Sequence, residues 1–341
     1  MDVSASGEFE LIAHLTRGLS SSPDVVLGVG DDCAVLDLNG ASLLLATCDT
    51  QVEGMHFTRQ FSSPEQIGRK ALAVNLSDIA AMGGEPRYAL ISLLLPSDLS
   101  RSYLDSIYTG LRHEATRYAT AIVGGNIASS GKSASLGIDI TLLGTIERGH
   151  ALTRHGAHNG DTLMVTCTLG DAAAGLYTLQ HPDSRYPHDA QEVLRAVYRT
   201  PQPRIRAGRV LSQLGPAIVT SMLDLSDGLS GDLSHLCARS NVGARIELAR
   251  LPLSLSIRSV AASIGYDPFS WALHGGEDYE LLFTVSPGNE QRVIEAVHAA
   301  TGIPVTPIGT MLLSDAGMKL VYPDDHEEAL EIQSWNHLRS G

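Results

Sequence analysis

Apolar and polar positions follow two spacings along this chain, one typical of helices and one typical of strands. Apolar residues that recur every three or four positions predict amphipathic helices, and short runs of apolar and β-branched residues predict strands. The predicted helices are 8–19, 64–82, 100–118, 171–180, 190–198, 203–213, 229–238 and 290–300. The predicted strands are 25–28, 34–38, 42–47, 88–95, 120–123, 133–146, 162–166, 244–248 and 279–285.

The helix predicted at 64–82 has the clearest boundaries. Pro64 stands at its first position, and Gly83 and Gly84 follow its last residue. Proline is favoured in the first turn of a helix and glycine directly after its end.

Helices and strands are mixed in both halves of the chain. The segment 148–161 interrupts them and is rich in Gly, His and Arg, as expected of a connection. A chain of 341 residues is also longer than one ordinary domain. We therefore expect an α/β or mixed α+β fold with two domains, 1–149 and 150–341.

The composition limits the partners of the chain. Apolar residues make up 43% of the sequence, and 38 acidic against 24 basic side chains give a formal net charge of −14. Nucleic-acid binding needs clustered Lys and Arg, which this sequence lacks. The longest apolar stretches, such as Tyr88 to Leu95, are far shorter than a membrane span. We expect neither a nucleic-acid nor a membrane partner.

The cysteines and the start of the chain bear on the compartment. Four cysteines stand far apart without a CxxC pair, which predicts neither a zinc site nor a disulfide framework. The first residues lack the basic and apolar regions of a signal peptide. The sequence therefore predicts a cytoplasmic protein.

Acidic residues stand beside Gly, Ser or Thr in five short segments. These segments are GVGDD at 28–32, TCDT at 47–50, NLSD at 75–78, DLSDG at 224–228 and GGED at 275–278. Each one alone fits turn or helix-cap chemistry. Asp32, Asp49 and Asp78, however, each end an apolar segment, where a side chain can enter a cleft.

Gathered carboxylates need compensating charge. Two of them about 4 Å apart repel by roughly 4 kcal/mol at an effective dielectric constant near 20. Hard oxygen ligands favour Mg²⁺, and the absence of His and Cys at zinc-ligand spacing disfavours zinc. If the segments converge, the sequence predicts a magnesium centre.

Glycine doublets occur at 83–84, 124–125 and 275–276 and are followed by Glu85, Asn126 and Glu277. Such doublets let a backbone approach a ligand closely. The alternative interpretation is a tight turn, and we favour it for the doublet 83–84, which ends a predicted helix. No GxxxxGK[ST] loop and no HRD or DFG segment is present, so the familiar nucleotide-binding folds are not indicated.

Taken in order, these segments resemble the thiamine-monophosphate kinase family. Its superfamily also contains aminoimidazole ribonucleotide synthetase, selenophosphate synthetase and a hydrogenase maturation factor. The resemblance extends from Gly7 to Trp335 and rests on six motifs. They are GVGDDCAVL from Gly28, TCDTQVEGMHF from Thr47, KALAVNLSDIAAMGG from Lys70, ALTRHGA from Ala151, DLSDGLSGDL from Asp224 and GGEDYELLFT from Gly275. The parts VEGMHF, NLSDIAAMG and GGEDYEL are specific to the kinase rather than to its relatives.

The resemblance implies an ATP- and Mg²⁺-dependent enzyme. The γ-phosphoryl group of ATP would pass directly to the phosphate of thiamine monophosphate, giving thiamine diphosphate in the last step of its biosynthesis. Strands of the N-terminal domain would pair with a second subunit to form a barrel in a homodimer. ATP and several Mg²⁺ ions would lie in the cleft that the C-terminal domain closes.

The resemblance also implies roles for individual residues. The metal ligands would be Asp32, Thr47, Asp49, Asp78, Asp224 and Asp227, with Cys48 contributing through its backbone. Gly125, Arg154 and Ser226 would lie on the ATP side, and His56, Glu277 and Trp335 would contact thiamine monophosphate. No residue is expected to act as a covalent nucleophile. Alternative interpretations are a capping role for His56, a packing role for Trp335 and a surface ion pair for Arg154.

One position departs from the family pattern. The family has Gly-Gly-Asp-Thr where this chain has Gly124, Gly125, Asn126 and Ile127. That Asp would be a metal ligand. The amide oxygen of Asn126 can still coordinate Mg²⁺, but without a negative charge it should bind more weakly.

Two other functions remain open. Asn126 favours a catalytically weak protein that binds thiamine phosphate or a nucleotide. Another possibility is a superfamily enzyme that uses ATP with a different acceptor. It is disfavoured because the chain lacks both the reactive N-terminal cysteine of selenophosphate synthetase and the C-terminal cysteine of the hydrogenase factor.

Overall fold

The computed structural model of the protein describes residues 8–17, 22–132 and 134–333. Its helices are α1 (Glu8–Leu15), α2 (Pro64–Ala81), α3 (Arg101–Arg117), α4 (Asp171–Gln180), α5 (His188–Arg199), α6 (Ile205–Leu214), α7 (Leu229–Ser240), α8 (Leu255–Ile264), α9 (Pro268–His274) and α10 (Glu290–Thr301). Its strands are β1 (Val25–Leu27), β2 (Ala34–Leu36), β3 (Ser42–Val52), β4 (Glu85–Pro96), β5 (Ala121–Gly131), β6 (Gly137–Glu147), β7 (Thr162–Thr166), β8 (Val219–Asp224), β9 (Val242–Glu247), β10 (Leu281–Val285), β11 (Val305–Leu313), β12 (Met318–Val321) and β13 (Glu327–Ala329).

The first six strands form one sheet in the order β1-β2-β3-β6-β4-β5. Neighbouring strands are antiparallel except β4 and β5, which are parallel. Alternate residues of β4, such as Ala89, Ile91 and Leu93, are buried, whereas Tyr88, Leu90 and Leu94 on the other face are exposed. One face of this sheet therefore carries apolar side chains that the described residues leave exposed.

Helix α2 packs on the covered side of the sheet and carries one of the acidic motifs. It begins with a capping box, in which the Ser63 hydroxyl accepts from the Gln66 N–H and the Gln66 side chain accepts from the Ser63 N–H. Gly68 lets α3 approach very closely, because a Cβ there would lie 2.0 Å from the carbonyl oxygen of Ile107. This packing fixes the position of Asp78 near the C-terminal end of α2.

The second sheet has the order β13-β12-β9-β11-β7-β10-β8. Its pairs are antiparallel except β9 and β12. Helix α6 joins the two halves, since Arg209 pairs with Glu147 at 2.7 Å and donates to the carbonyl oxygen of Gly83 at 2.9 Å. Buried residues of both halves, among them Leu76 and Met222, also share one apolar core.

The mixed α/β class with two sheets is confirmed, whereas a barrel shared with a second subunit stays a prediction. Several elements differ from those expected. Strands β8, β11, β12 and β13 and helices α8 and α9 were not predicted; β3 and β5 are longer, and β6 begins later, at Gly137. No helix within the described residues is both long and apolar enough to span a membrane.

Candidate active site

Three carboxylates from different parts of the chain meet between the two sheets. Asp32 precedes β2, Asp78 lies in α2 and Asp224 ends β8. One ligand oxygen of each lies within 4.8 Å of those of the other two. Asp32 and Asp224 are only 8% and 4% exposed, so water screens their charges poorly. We call these three residues the carboxylate centre.

Burial and mutual repulsion disfavour the charged forms in the carboxylate centre. Burial, followed by the negative charges of Asp49, Asp224 and Asp32, raises the pKa of Asp78 well above its usual value. Burial and the charge of Asp32 likewise raise the pKa of Asp224 to about 7. A bound cation would relieve this repulsion and favour the ionised forms.

Hydrogen bonds orient the oxygens of the carboxylate centre. The Thr47 hydroxyl donates to Oδ2 of Asp78 at 2.5 Å, and the Ser77 hydroxyl donates to Oδ2 of Asp224 at 2.5 Å. Oδ2 of Asp32 is buried and finds no hydrogen-bond partner in the described part of the chain. Oriented oxygen ligands and a buried carboxylate oxygen without a donor fit a hard divalent cation such as Mg²⁺.

Arg154 closes one side of this centre. Its guanidinium donates to Oδ1 of Asp32 at 2.5 Å, and its backbone N–H donates to Oδ1 of Asp31 at 3.1 Å. The ion pair is therefore with a buried carboxylate of the centre and not with a surface acid. Burial and the charge of Asp32 raise the pKa of Asp31 to about 7.

The remaining predicted metal ligands are not part of the carboxylate centre. The Asp49 N–H donates to Oδ1 of Asn75 at 3.2 Å, which ties β3 to α2, and the Asp49 charge contributes to the raised pKa of Asp78. The Asp227 N–H donates to the buried Asp232 at 3.1 Å. The Cys48 thiol instead donates to Asp139 at 3.5 Å.

Gly125 and Asn126 lie on the exposed strand β5, opposite Ile91 and Ser92 of β4. Gly125 has φ +154°, and a Cβ there would lie 1.8 Å from the carbonyl oxygen of Ile91. Only glycine fits this position. Asn126 is not part of the carboxylate centre.

Two of the three residues expected to contact thiamine monophosphate, His56 and Glu277, lie beside α2. Nζ of Lys70 is 2.6 Å from Oε1 of Glu277 and donates to the carbonyl oxygen of His56 at 3.2 Å. The Ser226 carbonyl accepts from the Glu277 N–H at 2.7 Å. Trp335 lies outside the described residues. The structure thus brings His56, Ser226 and Glu277 into one network.

Sequence reasoning missed Lys70, Ser77 and Asp31 as parts of this site. Lys70 had a signal, because it is a cation within a helix whose other neighbouring positions are mostly apolar. Ser77 had none apart from its place before Asp78 in the NLSD motif.

Comparisons with known proteins agree over nearly the whole chain. A family model described as AIR synthase related protein, N-terminal domain, matches residues 30–146. One described as AIR synthase related protein, C-terminal domain, matches residues 158–319. Thiamine-monophosphate kinase of Escherichia coli O157:H7 is 40% identical over 340 residues, which cover 98% of this chain and 99% of the relative. The chain belongs to the thiamine-monophosphate kinase family.

Other members of the thiamine-monophosphate kinase family resemble this chain in sequence or in structure. The Bacillus subtilis (strain 168) enzyme is 35% identical over 97% of this chain and 99% of its own length. AaThiL, solved in complex with AMPPCP and TMP, has a TM-score of 0.84 and 34% identity, with 99% of each chain covered. The thiamine-monophosphate kinase of Stenotrophomonas maltophilia K279a has a TM-score of 0.74 and 33% identity, over 92% of this chain and 94% of its own.

Proposed function

We propose that this protein transfers the γ-phosphoryl group of ATP to the phosphate of thiamine monophosphate, giving thiamine diphosphate and ADP. The observation that carries this proposal is the convergence of Asp32, Asp78 and Asp224 in a chain that belongs to the thiamine-monophosphate kinase family. The complex of AaThiL with AMPPCP and TMP supports ATP and thiamine monophosphate as the two substrates.

We propose that the carboxylate centre and its surroundings hold Mg²⁺. The candidate ligands are Asp32, Thr47, the Cys48 backbone, Asp49, Asp78, Asn126, Asp224 and Asp227. When bound, Mg²⁺ would shield the phosphates of the two substrates from each other and stabilise the charge of the transferring group. The buried Oδ2 of Asp32 supports this assignment, since a buried carboxylate oxygen is normally satisfied by a donor or a cation.

The chain itself needs to position the substrates rather than to supply a nucleophile. The acceptor phosphate of thiamine monophosphate is already ionised at neutral pH, so no strong base is required. Arg154, Gly125 and Ser226 are proposed to face ATP. His56, Glu277 and Trp335 are proposed to face thiamine monophosphate, where the Glu277 carboxylate suits its cationic thiazolium ring.

We also propose a homodimer in which residues 1–149 form both the ATP site and the subunit interface, and residues 150–341 close the cleft. Tyr88, Leu90 and Leu94 are 51%, 41% and 46% exposed on one face of the first sheet, and β5 is an edge strand of that sheet. Exposed apolar faces and unpaired edges are typical of protein interfaces. The free cysteines Cys33, Cys48, Cys167 and Cys237 fit a reducing, cytoplasmic compartment.

One assay tests the proposed reaction. Purified protein is incubated with ATP, Mg²⁺ and thiamine monophosphate, and thiamine diphosphate and ADP are measured together. Equal amounts of the two products are expected, with neither formed when thiamine replaces thiamine monophosphate. Binding of both ligands without turnover favours the binding-protein hypothesis. ADP and inorganic phosphate without thiamine diphosphate mean transfer to water, which favours an enzyme whose own acceptor is not thiamine monophosphate.

Asn126→Asp is expected to lower the Mg²⁺ concentration that gives half-maximal activity. An added carboxylate attracts the cation, and about 1.4 kcal/mol of added attraction corresponds to about a tenfold lower requirement. Activity is measured over a Mg²⁺ titration at saturating substrates. Asn289→Asp, which adds the same charge at the N-cap of α10, is the matched control. An unchanged requirement in Asn126→Asp contradicts the metal role of this position.

A further inference from the structure

Lys70 is a buried cation at the edge of the proposed substrate site. Its side chain is only 3% exposed in the middle of α2, a helix whose neighbouring residues Ile67, Ala71 and Leu72 belong to the core. A buried ammonium group is costly unless polar groups surround it.

Three groups from three separate segments surround this ammonium. Nζ lies 2.6 Å from Oε1 of Glu277, 3.2 Å from the carbonyl oxygen of His56 and 4.1 Å from the ring centroid of Tyr198. A carboxylate, a carbonyl and an aromatic face are suitable partners for the donors of one ammonium. Lys70 thus links α2, the turn after β3, α5 and the segment before β10.

Backbone hydrogen bonds fix both Glu277 and His56, the two residues that Lys70 contacts through oxygen atoms. Glu277 has φ +70°, a left-handed conformation that non-glycine residues rarely adopt, and its N–H donates to the Ser226 carbonyl. Nδ1 of His56 accepts from the Val52 N–H at 3.0 Å, so neutral His56 carries its proton on Nε2. The Glu277 side chain is still 24% exposed, so a ligand can reach its carboxylate.

We propose that Lys70 is the positioning residue of the thiamine monophosphate site. Its ammonium holds the Glu277 carboxylate of the C-terminal half and the His56 turn of the N-terminal half in one geometry. It also offsets part of the Glu277 charge and engages Oε1, while Oε2 stays available to a cationic ring. This role rests on the proposed function, in which Glu277 and His56 contact thiamine monophosphate.

Lys70→Met is expected to raise the KM for thiamine monophosphate about 10- to 100-fold, because misplacing a group by about 1 Å can have an effect of this size. The KM for ATP is expected to change less than about threefold, since Lys70 contacts neither Arg154 nor the carboxylate centre. Lys70→Arg should recover part of the loss, because the charge remains while the geometry differs. Steady-state kinetics with each substrate varied in turn give these constants.

The neighbouring Arg69→Met is the matched control. Arg69 forms an ion pair with the buried Glu114 at 2.6 Å, on the side of α2 that faces α3. The substitution removes a cation and an ion pair from the same helix. Arg69→Met should lower the melting temperature and leave the KM for thiamine monophosphate unchanged.

A double-mutant cycle separates positioning from general stabilisation. In a Glu277→Gln background, Lys70→Met should raise the KM for thiamine monophosphate much less than in the wild type, because the carboxylate it holds is gone. Equal rises in both backgrounds, or equal rises in the KM of both substrates, overturn the proposal. If Lys70→Met does not fold, Lys70→Gln, which also removes the charge, takes its place, and an unchanged KM for thiamine monophosphate in folded Lys70→Gln overturns the proposal as well. Wild-type protein that makes no thiamine diphosphate overturns the proposed function instead.

Discussion

Asp78→Asn is expected to lower kcat/KM about a thousandfold. The loss of one carboxylate weakens the binding of Mg²⁺, and about 4 kcal/mol of lost transition-state stabilisation corresponds to a factor of about a thousand. The substitution keeps the size of the side chain and an oxygen that can accept from the Thr47 hydroxyl. The change in kcat/KM therefore reports the loss of the negative charge of Asp78. Initial rates of thiamine diphosphate formation, taken over a wide Mg²⁺ range, give the change.

Asp171→Asn is the matched control for this experiment. Asp171 is buried, at 7% exposure, and like Asp78 accepts hydrogen bonds from hydroxyl groups, those of Thr168 and Ser254, but it lies outside the carboxylate centre. The control should retain kcat/KM within a few-fold. A similar loss in both variants, or a nearly normal rate in Asp78→Asn, contradicts the assignment of the carboxylate centre.

Asp78→Asn is also expected to make the metal-free protein more stable. The three carboxylates, two of them buried, have ligand oxygens within 4.8 Å of one another and repel, and removing one charge relieves that repulsion. With a chelator present, the melting temperature of Asp78→Asn should exceed that of the wild type by about 2–4 °C for each kcal/mol of repulsion removed. Added Mg²⁺ should reverse the order, since it stabilises the protein that binds it more tightly.

The second large effect is expected on the oligomeric state. Leu90→Glu combined with Leu94→Glu should weaken dimerisation at least about a thousandfold. Burying each leucine contributes about 1.5–3 kcal/mol, and an unpaired buried carboxylate adds a further cost. Sedimentation at several protein concentrations, with circular dichroism to verify folding, measures the change.

Leu255→Glu is the matched control for the dimer experiment. Leu255 is 84% exposed on α8, in the other half of the chain, so it adds one charge to a surface far in sequence from the proposed interface. This variant should dimerise like the wild type. A double variant at Leu90 and Leu94 that stays dimeric at low concentration places the interface elsewhere.

Elements with strong local signals were predictable from the sequence. Helix α2 was expected at 64–82 and spans 64–81, because Pro64 at its start and the glycines after its end are local signals. Strand β11 was missed because Thr306, Pro307 and Gly309 resemble a loop, and its pairing with β7 and β9 decides its conformation. Strand β5 looked short because Gly124 and Gly125 resemble a turn, yet it pairs with β4 as far as Gly131.

The candidate site was predictable in its acidic residues but not in their surroundings. Asp32, Asp78 and Asp224 stand in motifs whose residue types point to cations, and the structure brings them together. The sequence could not show that Arg154 pairs with Asp32, because the two are distant along the chain. The pairing of Lys70 with Glu277 was missed for the same reason, since Glu277 lies in the other half. Long-range partners depend on the folded arrangement of both sheets.

The carboxylate centre has a consequence for attempts to improve this protein by directed evolution. A screen for heat resistance alone, run without magnesium, rewards the replacement of Asp78 or Asp224, because each replacement removes repulsion, whereas Asp32 is the ion-pair partner of Arg154. The variants that such a screen enriches would be thermostable but catalytically inactive, a trade-off between stability and activity that is common at active sites. Libraries of this protein therefore need selection for turnover at every round.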